Sequence, residues 1–220
     1  IKTKYRKSLI NTEANVLFEN KIKNESNKYF GRDEYFNSVI VSSHQNLIGK
    51  VKLSTDGGLG LNVTSVNEPY LGKIFFLSVY GNLDFWEALD LHLLGALSIF
   101  IYDLRKRHDA EHIVIAGDFN MDRRMDDNPT GTRFSKKGER RQNIFFDCIL
   151  DLGFKDCIAE TLEDYVQTHR HNLSKFPWQI DHFFASEKLF NGLTDLKVID
   201  NEEVRNLSDH NLILAEFKVK

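Results

Sequence analysis

"FWEALDLHLLGALSIFIYDLRKRH" (85–108), followed almost at once by "HIVIAGDFN" (112–120), decides the fold. In the first segment apolar residues fall at 86, 89, 93, 94, 97, 100, 101 and 104, the spacing of one helical face. Asp84 is placed to cap its N-terminus, with Glu87 three residues later in a capping-box arrangement. Arg105, Lys106, Arg107 and His108 suit the negative end of the helix dipole. In the second segment the helical period vanishes. An unbroken apolar run, 113–116, reads as a buried central strand that ends in Gly117, Asp118 and Asn120.

Outward from this pair, the chain alternates between strand and turn signals. Upstream, "FNSVIVSS" (36–43) reads as a strand and "LIGKVKLS" (47–54) as its antiparallel neighbour. "DGGLG" (56–60) is a turn, and strands follow within 59–66 and 70–81. Residues 1–34 are polar and irregular, with only "ANVLF" (14–18) apolar enough for a short strand. Downstream, 121–141 is a charged loop and "QNIFFDCILDLG" (142–153) a second amphipathic helix closed by Gly153. Strands are expected at 178–186, 195–200 and 211–219. Antiparallel hairpins beside crossover helices make this an α/β sandwich with mixed sheets, not a purely doubly wound fold.

The 220 residues fit a single domain, 1–220, with 41% hydrophobic residues to fill a core. A formal charge of −3 is not that of a protein gripping nucleic acid by bulk charge, although a local basic patch is compatible with it. Cys148 and Cys157 have neither CxxC nor zinc spacing and read as reduced, partly buried thiols, compatible with a cytoplasmic protein. No apolar run reaches the ~18 residues of a membrane-spanning helix. The chain begins at Ile1 rather than Met, which leaves two expectations open: a domain whose native N-terminus is missing, or one whose N-terminal part is remodelled and whose activity is weakened or lost.

The chemistry concentrates in three clusters at strand ends. These are "GDFN" with Asp118 and Asn120, "QIDHF" with Asp181 and His182, and "LSDHN" with Asp209, His210 and Asn211. An Asp after a strand is often only a turn former or helix cap. Three such clusters in one chain make independent turn roles a poor account. On an extended segment, residues two apart point the same way, so Asp118 and Asn120 are expected to serve one site. Carboxylate and carboxamide oxygens are hard ligands suited to Mg²⁺ or Mn²⁺ and poor for zinc. An Asp–His pair from different strands would complete a site able to orient an imidazole.

In this order, "GDFN", "QIDHFFAS" and "LSDHN" resemble the endonuclease/exonuclease/phosphatase superfamily, over roughly residues 36–219. The resemblance implies a four-layer α/β sandwich, with two mixed, mostly antiparallel sheets flanked by helices. It also implies cleavage of phosphate esters with a divalent metal at one edge of the sheets. Asp118 matches the residue that activates the attacking water or contacts metal, and Asn120 the one that holds phosphate or metal. Asp209 matches a metal ligand, His210 the His on the scissile phosphate, and Asp181 the Asp that orients this His. An oriented, charged imidazole would stabilise charge on a pentavalent phosphorus, as would a metal. "FFLSVYGN" resembles the exonuclease III-like branch, with Tyr80 and Asn82 as donors to phosphate oxygens; the alternative is a Tyr capping the sheet edge and a turn Asn.

The resemblance fails at the N-terminus. The family's first strand and its Gln-Glu motif, which carries the principal metal ligand, have no clear counterpart. Glu19 in "ANVLFEN" is the nearest candidate, against a surface Glu on an irregular segment.

For the substrate, the loop carries Arg123, Arg124, Arg133, Lys136, Lys137, Arg140 and Arg141, able to follow a nucleic-acid backbone. Asp122, Asp126, Asp127 and Glu139 in the same loop favour a salt-bridged, solvated one instead. "THRH" (168–171) makes a weak zinc motif, so His169 is expected to face the phosphate or sit in a loop. Trp178 is expected in the core rather than a substrate groove. The leading expectation is a metal-dependent nuclease acting on DNA or RNA. The alternatives are a phosphoesterase acting on a lipid headgroup or small ester, and a catalytically silent binding module.

Overall fold

The computed structural model describes residues 15–19, 22–23, 35–36, 39–42, 48–50, 61–81, 89–127, 141–162, 164–170 and 175–218, with backbone alone before 61. The chain divides into two compact units, Ile1–Ala116 and Gly117–Lys220.

In the first unit β1 (Asn15–Glu19) pairs antiparallel with β4 (Val39–Ser42), Glu19 opposite Val39. The two-residue strands β2 (Ile22–Lys23) and β3 (Tyr35–Phe36) also pair. Within 1–34, β1 is the short strand expected at 14–18, and β2 is an addition where irregular chain was expected. β5 (Ile48–Lys50), β6 (Leu61–Glu68), β7 (Gly72–Tyr80) and β8 (His112–Asp118) lie side by side in that order. The expected hairpin between 36–43 and 47–54 does not form, because β4 pairs with β1 and β5 with β6. Alternation marks a strand but does not choose its partner.

The β6–β7 hairpin is continuous from Leu61↔Val79 to Glu68↔Gly72. Its turn is local chemistry. The Glu68 carboxylate accepts the N–H groups of Tyr70 and Leu71, each at 2.6 Å, and Gly72 takes a φ of 71°. Along β7, Phe75, Leu77 and Val79 are buried, in strict alternation with half-buried neighbours. The long helix α1 (Leu89–His108) buries Leu89, Leu93, Leu97, Phe100, Ile101 and Leu104 of the predicted stripe and adds Ala96, while Leu94 is half-buried. Its basic last turn ends at His108, and Asp109 leaves the helix at a φ of 51°. The capping pair Asp84 and Glu87 lies outside the described residues. β8 follows, with His112, Ile113, Val114 and Ile115 all buried.

The second unit contains α2 (Arg141–Asp151), β9 (Phe154–Asp156), α3 (Cys157–Thr161), β10 (Asp181–Ser186), α4 (Glu187–Phe190), β11 (Leu193–Ile199), α5 (Glu202–Leu207) and β12 (Leu212–Phe217). β9 pairs antiparallel with β10, and β11 with β12. Three turns set these elements. Asp126, in the 3₁₀ turn Arg123–Asp127, accepts the N–H groups of Gln142 (3.2 Å) and Asn143 (2.9 Å) and so caps α2 from outside the helix. Gly153, at a φ of 84°, closes α2 as expected. Asp156 caps α3 through Ile158 and Ala159, each at 3.1 Å. Burial pushes the neighbouring Cys157 thiol up to about 12, helped by the Asp156 charge, which keeps it protonated. The core is aromatic. Phe119, Phe146 and Phe184 pack on the ring of His182 at 4.5–5.9 Å. Trp178 joins Met125, Ile180 and Phe176 in a second cluster, in the core as expected.

Candidate active site

The site is built within the second unit, from the end of β8 onward. Gly117, at a φ of 141°, turns the chain out of the strand, and β8 stops at Asp118. Phe119 is fully buried, and its N–H donates to the Ile180 carbonyl at 2.8 Å. Asn120 sits in the left-handed region, at a φ of 53°, and its N–H donates to Asp118 Oδ1 at 2.9 Å. This corrects the expectation that strand alternation aims both side chains one way. The extended segment ends before Asn120, and an Asx turn joins the two residues instead.

Asp181 opens β10, and His210 lies just before β12. Their side chains meet, with His210 Nδ1 donating to Asp181 Oδ2 at 2.8 Å. His182, the other residue of its motif, is structural. It is buried, and its Nε2 donates to the Met121 carbonyl at 2.8 Å. Buried Thr168 holds the pair in register. Its hydroxyl oxygen accepts the N–H groups of Ile180 and Asp181, each at 3.0 Å, and its carbonyl accepts the Asn211 N–H at 2.7 Å. One residue thus anchors the start of β10 and the segment beyond His210. Asn211 adds a bond from Nδ2 to the Gln167 carbonyl at 2.6 Å.

These groups share one electrostatic field. Asp118 is pushed up to about 7, first by burial and then by the Asp181 carboxylate, with Asp209 adding to the rise. His210 and the Asn120 N–H pull it the other way. For His210, burial disfavours the charged ring. The hydrogen bond and charge of Asp181, with Asp118 and Asp209, outweigh this and raise its pKa above the ordinary value. His169 lies against His210, ring centroids 4.5 Å apart at 39°, with Nε2 at 3.9 Å from Asp209 Oδ2. Asp209 itself is 68% exposed.

Of the residues expected at the site, the second unit gathers Asp118, Asp181, His210, Asp209 and His169. Tyr80 ends β7 half-buried, in the first unit. Glu19 ends β1, and nothing of its side chain is described. Asn82, Arg133, Lys136 and Arg140 lie outside the described residues. Two cations expected to follow a nucleic-acid backbone are committed internally. Arg123 bonds Asp147 at 2.8 Å. Arg124 bonds buried Asp122 at 2.6 Å and the Pro177 carbonyl at 2.6 Å, between the rings of Tyr165 and Phe176. The Asp122 carboxylate also accepts the Gln179 N–H at 2.8 Å. The anchoring roles of Thr168 and Arg170 have no signal in the sequence, whereas Asp122 forms the kind of loop salt bridge expected of it. Thr168 lies in "QTHR", and a hydroxyl beside two histidines carries no motif of its own.

The donors near His210 are carboxylate oxygens, the kind a hard divalent cation takes. Their repulsion, felt in the raised Asp118, is what such a cation would relieve. Their number falls short, since no three His, Cys, Asp or Glu side chains among the described residues form a ligand group.

The fold and this constellation define a class. The sequence profile of the endonuclease/exonuclease/phosphatase family matches residues 7–210, and the chain belongs to that family. No curated protein sequence matches significantly. Among solved structures, the chain is similar to the 3′ phosphatase NExo from Neisseria bound to product DNA hairpin. That match has a TM-score of 0.61 at 19% identity over 98% of this chain and 93% of the other. The 3′-5′ exonuclease NExo from Neisseria meningitidis matches at 0.59 and 21% identity, covering 97% and 93%. An AP endonuclease from Archaeoglobus fulgidus matches at 0.62 and 17%, covering 98% and 91%. At these identities the likeness establishes the fold: mixed α/β, two sheets flanked by helices, as expected from the motifs.

Proposed function

We propose that this chain is a divalent-metal-dependent phosphodiesterase that hydrolyses nucleic acid. The observation that carries the reading is the Asp181–His210 hydrogen bond at 2.8 Å beside Asp118, a carboxylate poised to titrate at about 7. His210 commits Nδ1 to Asp181, which leaves Nε2 as the atom to meet a phosphate oxygen. Charged, the ring stabilises the negative charge that builds on the phosphoryl group. Asp118 in its ionised form takes a proton from the attacking water, a task suited to a base with a pKa near the working pH. Asn120 and His169 are the proposed substrate contacts, with Tyr80, Asn82, Arg133, Lys136 and Arg140 carried over from the motif resemblance. Asp209, with Glu19 as a further ligand, would hold Mg²⁺ or Mn²⁺, which when bound neutralises charge on the scissile phosphate. DNA as substrate is supported by the similar 3′ phosphatase bound to a DNA hairpin.

The test is incubation with plasmid, single-stranded DNA, RNA and a 3′-phosphorylated duplex, with Mg²⁺, with Mn²⁺ and with chelator. The expected result is cleavage or phosphate release that the chelator stops and that Asp118→Ala and His210→Ala abolish. Activity that survives both substitutions refutes the site. Hydrolysis of small phosphate esters alone refutes the nucleic-acid substrate.

A further inference from the structure

Arg170 follows His169, and hydrogen bonds run from it toward one short loop, 208–210, and toward Asp200. Its main-chain N–H donates to the Asp209 carbonyl at 2.8 Å. Its guanidinium Nη2 donates to the Ser208 carbonyl at 2.6 Å and lies 3.5 Å from the His210 carbonyl. The carbonyls of three consecutive residues, 208, 209 and 210, therefore all turn toward this one arginine. Its Nη1 donates to Asp200 at 3.0 Å, and Asp200 is held from the other side by Arg205 at 2.8 and 2.9 Å. The guanidinium is fixed at both ends.

We propose that Arg170 is a positioning residue that sets the backbone of loop 208–210 and thereby places the His210 imidazole on Asp181. Thr168 fixes the Asp181 side of that hydrogen bond independently, through the N–H groups of Ile180 and Asp181. Arg170 fixes the other side. An arginine is needed because its rigid fork reaches Asp200 and the loop carbonyls together, whereas a lysine offers one compact charge on a flexible stem. A hydrogen bond of 2.8 Å leaves little room for error, since a displacement near 1 Å takes the pair out of range. The inference rests on the functional reading above only in its kinetic arm.

The decisive experiment compares wild type, Arg170→Met and Arg170→Lys by proton NMR of protein labelled with ¹⁵N at histidine. It follows the downfield Nδ1–H resonance of His210 that a carboxylate partner produces. In Arg170→Met this resonance is expected to broaden or vanish. Its kcat is expected to fall roughly 10- to 100-fold with KM within about twofold, and Arg170→Lys is expected to fall between. Should Arg170→Met fail to fold, Asp200→Asn reads the same resonance, with a smaller loss expected. An unchanged resonance in the folded variant overturns the proposal. So does a rise in KM at constant kcat, which would make Arg170 a direct substrate contact. If wild type cleaves no nucleic acid, the functional reading fails and the resonance still decides the role of Arg170.

Discussion

Asp118 is where the chemistry and the stability of this protein pull apart. Its folded pKa, about 7, stands above the ordinary 3.8. Between those values the folded state holds a proton that the unfolded chain has lost, so this group makes the fold less stable as pH rises through the interval. Asp118→Asn removes that cost. It should raise the melting temperature at pH 8 by several degrees, the gain shrinking as pH falls and vanishing near pH 3; a calorimetric series over pH measures it. Nucleic-acid cleavage should drop by roughly 10²-fold or more in the same variant. Asp181 acts on both partners, because its charge raises Asp118 and His210 alike. The rate should rise as Asp118 loses its proton and fall as His210 loses its own. Asp181→Asn should therefore move both limbs of the pH–rate profile to lower pH. A shift of only the alkaline limb would show that Asp118 does not feel Asp181. In metal-free protein the Asp118 carboxyl should titrate near 7 by ¹³C NMR, and added Mg²⁺ should lower that value whether or not turnover occurs.

Among the elements, the segment around Thr168 joins two parts of the site that the sequence places 29 residues apart, at Asp181 and at His210. Replacing Thr168 with Val strips the acceptor from two N–H groups, those of Ile180 and Asp181, the first of them buried. Each orphaned donor costs about 1–3 kcal/mol. Urea unfolding should show a loss of roughly 2–4 kcal/mol for Thr168→Val, while Thr168→Ser, which keeps the oxygen, should stay within about 1 kcal/mol of wild type. A Val variant as stable as wild type would mean that the two donors find other partners. Legibility in the sequence follows the same division between local and distant. α1, β7 and β8 were readable because each carries its own period. β9 was missed because its three residues show none, and α3 because the cap at Asp156 read as an ordinary polar residue. The capping of α2 by Asp126 was unreadable, since the bond spans a charged loop. At the site, Asp181 and His210 were found through motif order, whereas the bend at Asn120 was hidden. Nothing in "GDFN" says that the strand ends at its Asp.

For the molecule as a whole, charge constrains how a polyanion can be held. The net charge is −3, and Arg123 and Arg124 are spent on Asp147 and Asp122. Bulk attraction to nucleic acid is thus weak, and the proposed nucleic-acid substrate would have to be held by a few local cations. Each phosphate neutralised contributes about 0.9 to the slope of log affinity against log salt for duplex DNA. If Arg133, Lys136 and Arg140 make such contacts, replacing all three with Ala should flatten that slope by about 2 to 3. Binding to duplex DNA should weaken uniformly across sequences, because phosphate contacts carry no base information. Fluorescence anisotropy from 50 to about 300 mM salt, in an Asp118→Ala background that cannot cut, makes the measurement without turnover. A slope unchanged by the triple substitution would assign these cations to the solvated, salt-bridged part of the loop, as Arg123 and Arg124 already are. Substrate would then be held by the groups around His210 alone, and such a site favours a strand end or a single phosphate over a long duplex.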